Sequence, residues 1–203
     1  MRVIVGAGGT EQIGWRSLER SQLDIRDRAS WARLFAPNSL DAVLSEHVLE
    51  HLTFTEARAA ARNICEFLRP GGFWRIAVPD ANNPDPVYQE YCRPGGSGQR
   101  WCKQYLYASD EPDHKVHYNL TTLSSLLNST GFAVRPLEAY DDAGTFWRTE
   151  WRESEGWVRR SSVSGYLLLN YLWADCWNTS LIVDAIKPIG SLEYRQLCRW
   201  DPE

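Results

Sequence analysis

Residues 40–80 read LDAVLSEHVLEHLTFTEARAAARNICEFLRPGGFWRIAVPD. The pattern predicts a strand, a polar elbow, an amphipathic helix, a tight turn and a second strand, which together make one βαβ unit. Thr53 and Glu56 form a capping box at the start of the helix, and Pro70-Gly71-Gly72 ends it. Because open α/β sheets bind ligands at the carboxyl ends of their strands, we expect the functional site just after Ser45.

The remainder of the chain predicts further strands and short helices on either side of this unit. Extended segments are expected at residues 2–5, 14–18, 23–25, 132–140 and 179–186, and helices at residues 26–35 and 120–129. We therefore expect an α/β fold, with a single Rossmann-like domain over residues 1–203. Its sheet is expected to be mostly parallel, with helices on both faces and an antiparallel strand near one edge. Irregular insertions are expected at about 81–118 and 141–178.

The composition limits the classes of partner. The 203 residues carry a net charge of -4, with a pI near 5.6 and no block of Lys and Arg, so a large nucleic acid is an unlikely ligand. No apolar run reaches the roughly 20 residues that span a bilayer, and no signal peptide is visible. The five cysteines form no C-x-x-C pair, which indicates reduced thiols and a cytoplasmic location.

Several motifs together resemble the class I S-adenosylmethionine-dependent methyltransferases, and most closely their "methyltransferase type 11" group. They are V-G-A-G-G at residues 5–9, the acidic Glu19, L-D-A-V-L-S-E-H-V-L-E-H-L at 40–52, F-L-R-P-G-G-F-W-R-I-A-V-P-D at 67–80 and T-S-L-I-V-D-A-I at 179–186. The resemblance implies an enzyme that uses S-adenosyl-L-methionine to methylate a small-molecule or lipid- or sugar-linked acceptor.

The resemblance also implies roles for particular residues. Gly6, Ala7 and Gly8 would pack against the methionine part of the cofactor, and Glu19 would hold its ribose. Asp24 and Ile25 would lie beside the adenine. Ser45, Glu46 and His47 would face the cofactor and the methyl group. His47 is the first candidate for a catalytic base, with Asp80 and His114 behind it.

One departure from the family pattern leaves an alternative open. Only residues 10–13 separate the glycine turn from the next strand, which is too short for the helix that normally covers this part of the sheet. The N-terminal part of the fold is therefore expected to be shortened. A non-catalytic protein that uses a methyltransferase-like fold for interaction or assembly stays possible on this basis.

His47-Val48-Leu49-Glu50-His51 also matches H-x-x-E-H, a pattern of metal-dependent hydrolases. That chemistry needs both histidines on one continuous helix and a third ligand, for which Asp80, Glu90, Asp113 and His114 are candidates. Because the histidines are expected to straddle an elbow, we expect no metal.

Residues 147–177 are rich in tryptophan and allow three interpretations. They would form a substrate pocket, a satellite core or a subunit interface. Since tryptophan is enriched at interfaces, we favour an interface or a lid, and the interface would make the protein a homo-oligomer.

Overall fold

A single seven-stranded sheet organises the chain in the computed structural model, which describes residues 1–96, 114–164 and 179–190. The strands are β1 (Arg2–Val5), β2 (Trp15–Leu18), β3 (Leu40–Glu46), β4 (Leu68–Val78), β5 (Ala133–Tyr140), β6 (Phe146–Arg148) and β7 (Leu181–Ile186). Their order across the sheet is β2-β1-β3-β4-β7-β5-β6. Strands β2, β1, β3 and β4 pair in parallel, whereas β7 is antiparallel to both of its neighbours and β6 is antiparallel to β5.

Helices pack on one face of this sheet. They include α1 (Arg28–Ala32), α2 (Phe54–Phe67) and α4 (Leu120–Asn128), and a further helix, α3 (Pro86–Cys92), follows β4. The apolar sides of α1, α2 and α4 bury Trp31, Ile64 and Leu123 in one large core with alternate residues of the strands. The capping box is present at the start of α2, where Thr53 and Glu56 bond each other's backbone N–H groups.

The opposite face is covered differently. Residues of this face form a smaller core, into which Val158 and Trp151 pack from the irregular segment 151–164. No helix of the described residues contributes to this core. Residues 6–14 are turns, as expected from the short connection, so segment 151–164 occupies space that a covering helix would take.

A buried ion pair fixes that segment to the sheet. Arg75 on β4 lies directly across from Asp184 on β7, and both side chains are fully buried. Two hydrogen bonds of 2.8 and 2.9 Å join the guanidinium to the carboxylate. The remaining nitrogen of Arg75 donates to the carbonyls of Arg152 and Gly156, and the guanidinium lies 4.8 Å from the ring of Trp151. The buried side chain of Arg75 therefore joins strands β4 and β7 to segment 151–164.

The Rossmann-like, mostly parallel sheet and its antiparallel strand are thus confirmed. Three local expectations were wrong. Residues 23–25 form turns and not a strand, because they lie beyond the end of the short edge strand β2. Helix α1 is shorter than residues 26–35, since its N-cap is Asp27. Strand β4 begins at Leu68 and continues through the Pro70-Gly71-Gly72 segment, where Gly71 and Gly72 exchange hydrogen bonds with Lys187.

The expected irregular insertions fall partly outside the residues that the structure describes. Residues 97–113 and 165–178 are not described, so the boundaries of the insertions and the proposed subunit interface stay predictions. In the described part of the tryptophan-rich region, Trp147 and Trp151 pack against the protein's own cores. Among the described helices, none has the length and apolar character needed to cross a membrane.

Candidate functional site

The carboxyl edge of the parallel strands brings the glycine turn and the elbow after β3 together. Gly6 ends β1 with a φ of +60°, and a Cβ at this position would lie 2.8 Å from a methyl of Val48. A glycine is therefore required by both conformation and space. A Cβ at Gly8 or Gly9 would meet nothing within 4 Å, so the outer part of the turn is open. Ala7 is buried in the smaller core.

Glu19, just beyond β2, closes one side of the turn. Its carboxylate accepts hydrogen bonds from the backbone N–H groups of Gly8 at 3.3 Å and Gly9 at 3.1 Å. The side chain is exposed, and a carboxylate has about four acceptor positions, so capacity remains for further donors. The glycine turn and the acidic residue expected to hold the ribose therefore lie side by side.

The two residues expected beside the adenine have other partners. Arg26 pairs with the carboxylate of Asp24 through bonds of 2.9 and 2.7 Å, and these bonds hold the pKa of Asp24 below its usual range. Ile25 is buried in the large core, and its carbonyl accepts from the indole of Trp31 and the amide of Asn63. The structure thus assigns both residues to the stability of the fold at this corner.

Two of the three residues expected to face the cofactor at the end of β3, Ser45 and Glu46, also have partners within the fold. The hydroxyl of Ser45 is buried and accepts from the indole N–H of Trp74 at 2.9 Å. The Glu46 carboxylate accepts the backbone N–H groups of Arg159 at 2.9 Å and Arg160 at 3.0 Å. Ser45 is therefore a core residue, and Glu46 is an anchor for the segment that covers this edge.

That cover is a feature that the sequence analysis missed. The Arg159 guanidinium donates to the Thr10 hydroxyl at 2.6 Å, and the side chain of Gln12 bonds both the N–H and the carbonyl of Trp157. Residues 157–160 thus bridge from the glycine-turn loop to the end of β3. No local pattern in the sequence signals such a contact between segments almost 150 positions apart.

His47 sits at the elbow in a strained conformation. Its φ is +55°, which is uncommon for a residue with a side chain. One ring nitrogen lies 3.1 Å from the carboxylate of Glu50, and the other lies 3.0 Å from the hydroxyl of Ser180. Burial lowers the pKa of His47, and the charge of Arg160 adds to this effect. The imidazole of His47 is therefore held by protein groups on both sides.

Asp80 lies at the end of β4 but is fully buried. Its two carboxylate oxygens accept the backbone N–H groups of Asn82 at 2.9 Å and Tyr140 at 2.8 Å. Burial raises the pKa of Asp80 to about 6, although these two bonds oppose the shift. The candidate role as a catalytic base is not supported, because this carboxylate joins the end of β5 to the turn after β4 and is closed to solvent.

His114 lies beside the elbow, as its candidate role requires. A ring nitrogen, Nδ1, lies 2.6 Å from the carbonyl of Cys92, and its ring lies edge-on to that of His51 at 5.0 Å between centroids. The H-x-x-E-H histidines do not share a continuous helix, because His47 is in the elbow and only residues 49–51 form a short 3-10 helix. The hydrolase interpretation of that motif is therefore wrong.

Comparison with known protein families finds a match to part of this chain. Residues 16–76, under a third of the chain, match the family model described as a methyltransferase domain. The match runs from β2 through β4 and includes Glu19 and the elbow. A search of curated proteins found no match.

Three solved structures with similar folds are distant from this chain in sequence. The crystal structure of the CurJ carbon methyltransferase is 14% identical, with a TM-score of 0.48, and the match covers 92% of this chain and 48% of that one. The complex of the Haloferax volcanii Trm112 methyltransferase activator with a methyltransferase is 12% identical, with a TM-score of 0.48 and coverages of 92% and 81%. A SAM-dependent methyltransferase from Archaeoglobus fulgidus is 14% identical, with a TM-score of 0.44 and coverages of 92% and 86%.

The chain spans about half the length of the first of these structures. With TM-scores below 0.5, none of the three carries an argument about the site. The relationship rests on the family match over residues 16–76, on the sheet order and on the glycine turn paired with Glu19. Residues 16–76 of this chain are therefore similar to a methyltransferase domain.

Proposed function

We propose that this chain methylates a small-molecule or lipid- or sugar-linked acceptor at the carboxyl edge of β1, β2 and β3. One observation carries the proposal: the open glycine turn, the exposed carboxylate of Glu19 and the elbow at His47 converge at this edge. Ligands of open α/β sheets bind at this kind of edge.

The residues present fit S-adenosylmethionine at one end of the site. Glu19 keeps acceptor positions for two ribose hydroxyls, and the open outer side of Gly8 and Gly9 lets a ligand approach the backbone. At the other end, Glu46 is bound to residues 159 and 160. The cofactor's amino-acid part would therefore lie against residues 157–160.

When bound, S-adenosylmethionine supplies a sulfonium-bound methyl group that a nucleophile takes by in-line displacement. The protein's part is alignment of the acceptor with that methyl, which contributes most of the rate in such a reaction. A base is needed only for an acceptor that must lose a proton. Of the three candidate bases, His47 and His114 border the elbow, whereas Asp80 is closed off.

The charge of the chain supports the acceptor class. The net charge of -4 disfavours a polyanionic acceptor, which would need many phosphate contacts.

The proposal is tested by titrating matched variants with S-adenosylhomocysteine. Glu19→Ala removes the proposed ribose partner, and we expect at least a tenfold loss of affinity, since hydrogen bonds to a charged group contribute about 1.5–3 kcal/mol each. Glu11→Ala removes an exposed carboxylate from the same loop and is expected to leave the affinity unchanged. Equal affinities for Glu19→Ala and the unmodified chain would remove Glu19 from the cofactor site.

The acceptor class is tested separately with methyl-labelled S-adenosylmethionine. Pools of small metabolites, lipids and glycans are incubated with the protein, and labelled products are identified by mass spectrometry. Label in a small-molecule, lipid or sugar fraction supports the proposal. Label found exclusively in protein or nucleic acid would overturn the acceptor class while leaving the cofactor site intact.

A further inference from the structure

All four histidines of this chain gather around one buried carboxylate. The chain contains four histidines in 203 residues, at positions 47, 51, 114 and 117. The charges of His47, His51 and His114 lower the pKa of Glu50. The charge of Glu50 in turn opposes the lowering of the pKa of His117 by burial. Two of these histidines are separated from the other two by more than 60 positions. Their convergence is therefore a product of the fold.

Glu50 is the centre of this group, and its closest side-chain contact among the described residues is the ring of His47. Its side chain is 1% exposed, and neither carboxylate oxygen has a well-formed hydrogen bond among the described residues, although Nδ1 of His47 lies 3.1 Å from Oε1. Burial raises the pKa of Glu50, but the neighbouring histidines outweigh burial and lower it overall. A buried carboxylate without hydrogen bonds is costly, and such groups normally pair with a cation or coordinate a metal.

The backbone holds the two arms of this cluster together. The carbonyl of Glu50 accepts the N–H groups of Lys115 at 2.6 Å and Val116 at 3.2 Å. These bonds place His114 against the short helix that carries Glu50 and His51. The arrangement does not depend on the flexible ends of long side chains.

His114 shows the arrangement of a metal-bound histidine. Its Nδ1 lies 2.6 Å from the carbonyl of Cys92, which accepts a hydrogen bond from an N–H at that distance. With the proton on Nδ1, the lone pair of the ring is on Nε2. Histidine ligands usually donate their second N–H to a carbonyl or carboxylate in this way, which fixes the tautomer and the ring orientation.

We propose that Glu50, His51 and His114 bind a divalent transition-metal ion, with zinc as the preferred occupant. One ligand atom from each of the three lies within 4.8 Å of the others. Ligands of a tetrahedral zinc ion lie about 3.4 Å apart, given metal–ligand distances near 2.1 Å, so small side-chain movements close the site. Two imidazoles and one carboxylate match the His₂Glu sets of zinc sites that keep an open position.

The donor set also argues against the hard cations. Calcium and magnesium prefer oxygen ligands, and calcium takes six to eight of them. The cluster offers one carboxylate and imidazole nitrogens, which suit zinc, iron, nickel or copper. In this site Glu50 is a ligand, and His47 lies outside the ligand set, so the site differs from an H-x-x-E-H site.

The test uses tag-free protein, because a histidine tag would bind the same metals. The full chain is stripped with a chelator and titrated with Zn²⁺ by calorimetry, in the absence of S-adenosylmethionine and any acceptor. We expect one ion per chain, and we expect Zn²⁺ to raise the thermal unfolding midpoint, since a ligand of the folded state stabilises it by mass action. Co²⁺ should give a visible absorption band that reports its coordination.

Matched variants locate the ion. Glu50→Gln keeps the size of the side chain and removes the anionic ligand, and His114→Gln does the same for an imidazole. Each is expected to weaken Zn²⁺ binding at least tenfold and to abolish the Co²⁺ band, whereas Glu11→Gln at an exposed site leaves both unchanged. If Glu50→Gln does not fold, the Zn²⁺ affinity and the Co²⁺ band of His114→Gln alone decide whether the ion binds at this cluster.

The metal site would be overturned by a stoichiometry near zero, or by unchanged affinity in both cluster variants. Because the titration contains neither cofactor nor acceptor, its outcome is independent of the proposed methyl transfer.

Discussion

The buried pair of Arg75 and Asp184 is expected to be the most sensitive ionic contact of this fold. Replacing Arg75 by methionine removes two bonds to Asp184 and leaves that carboxylate with Arg135, whose side chain is half exposed. The carbonyls of Arg152 and Gly156 lose their donor as well. Removing one partner of a buried pair costs about 3–5 kcal/mol, and we expect Arg75→Met to lower the free energy of unfolding by that amount.

The same strand offers a matched control. Arg69 on β4 pairs with Asp41 on β3 at 2.6 Å, but the two side chains are 52% and 44% exposed. Exposed ion pairs contribute about 0–1 kcal/mol. Arg69→Met is therefore expected to change the unfolding free energy by less than about 1 kcal/mol, although the chemical change is the same.

The assay is urea unfolding of both variants, followed by circular dichroism. Removing both charges, with Arg75→Met and Asp184→Leu together, should recover part of the loss, because the buried carboxylate that Arg75 no longer compensates is then gone. Equal costs for Arg75→Met and Arg69→Met would refute the claim that burial makes this pair critical. It would also weaken the inference that segment 151–164 is fixed through Arg75.

Two further predictions concern Asp80 and the cover over the edge. The pKa of Asp80, raised to about 6 when folded, lies above its unfolded value of 3.8, so its contribution to stability is present below pH 3.8 and is lost as the pH rises through 6. The unfolding free energy of the unmodified chain, relative to Asp80→Asn, should fall by about 2–3 kcal/mol between pH 4 and pH 7; a pH-independent difference would contradict this. Glu46→Gln keeps one acceptor oxygen for two N–H groups, so trypsin should cleave after Arg159 and Arg160 about fivefold faster, as expected for about 1 kcal/mol. Unchanged cleavage would show that Glu46 does not hold this segment.

The sequence predicts the parts of the fold that local patterns encode. The helix after the elbow was placed from its capping box and its apolar spacing, because both signals lie within one segment. The resemblance predicts Glu19 as the ribose partner, which stays a prediction; the structure places its carboxylate beside the glycine turn through two hydrogen bonds. The short connection after Gly9 correctly predicted that residues 10–14 form no helix.

What the sequence did not predict depends on contacts between distant segments. Residues 157–160 bind Glu46, a contact for which neither segment has a local signal. The sequence does contain a weak indication of the pair of Arg75 and Asp184. Arg75 is the single charge in the apolar run F-W-R-I-A-V, and Asp184 is the single charge in L-I-V-D-A-I. Opposite charges in two such strands indicate that the strands are neighbours.

The candidate site was predicted better in position than in detail. Its place at the edge after β3 was predicted from the βαβ pattern, and His47 and His114 do lie at the elbow. The roles of Ser45 and Asp80 were wrong because both are buried and fully engaged by the fold. Burial and hydrogen bonding of single polar residues at strand ends are set by tertiary packing.

Titration of the unmodified full chain with S-adenosylhomocysteine tests the central claim most directly. The account predicts saturable binding of one S-adenosylhomocysteine per chain. Methylthioadenosine lacks the amino-acid part of that ligand. If residues 157–160 contribute to binding, methylthioadenosine should therefore give no binding heat. Absence of any binding at ligand concentrations on the order of millimolar, corresponding to less than about 4 kcal/mol, would contradict the assignment of this edge as a cofactor site.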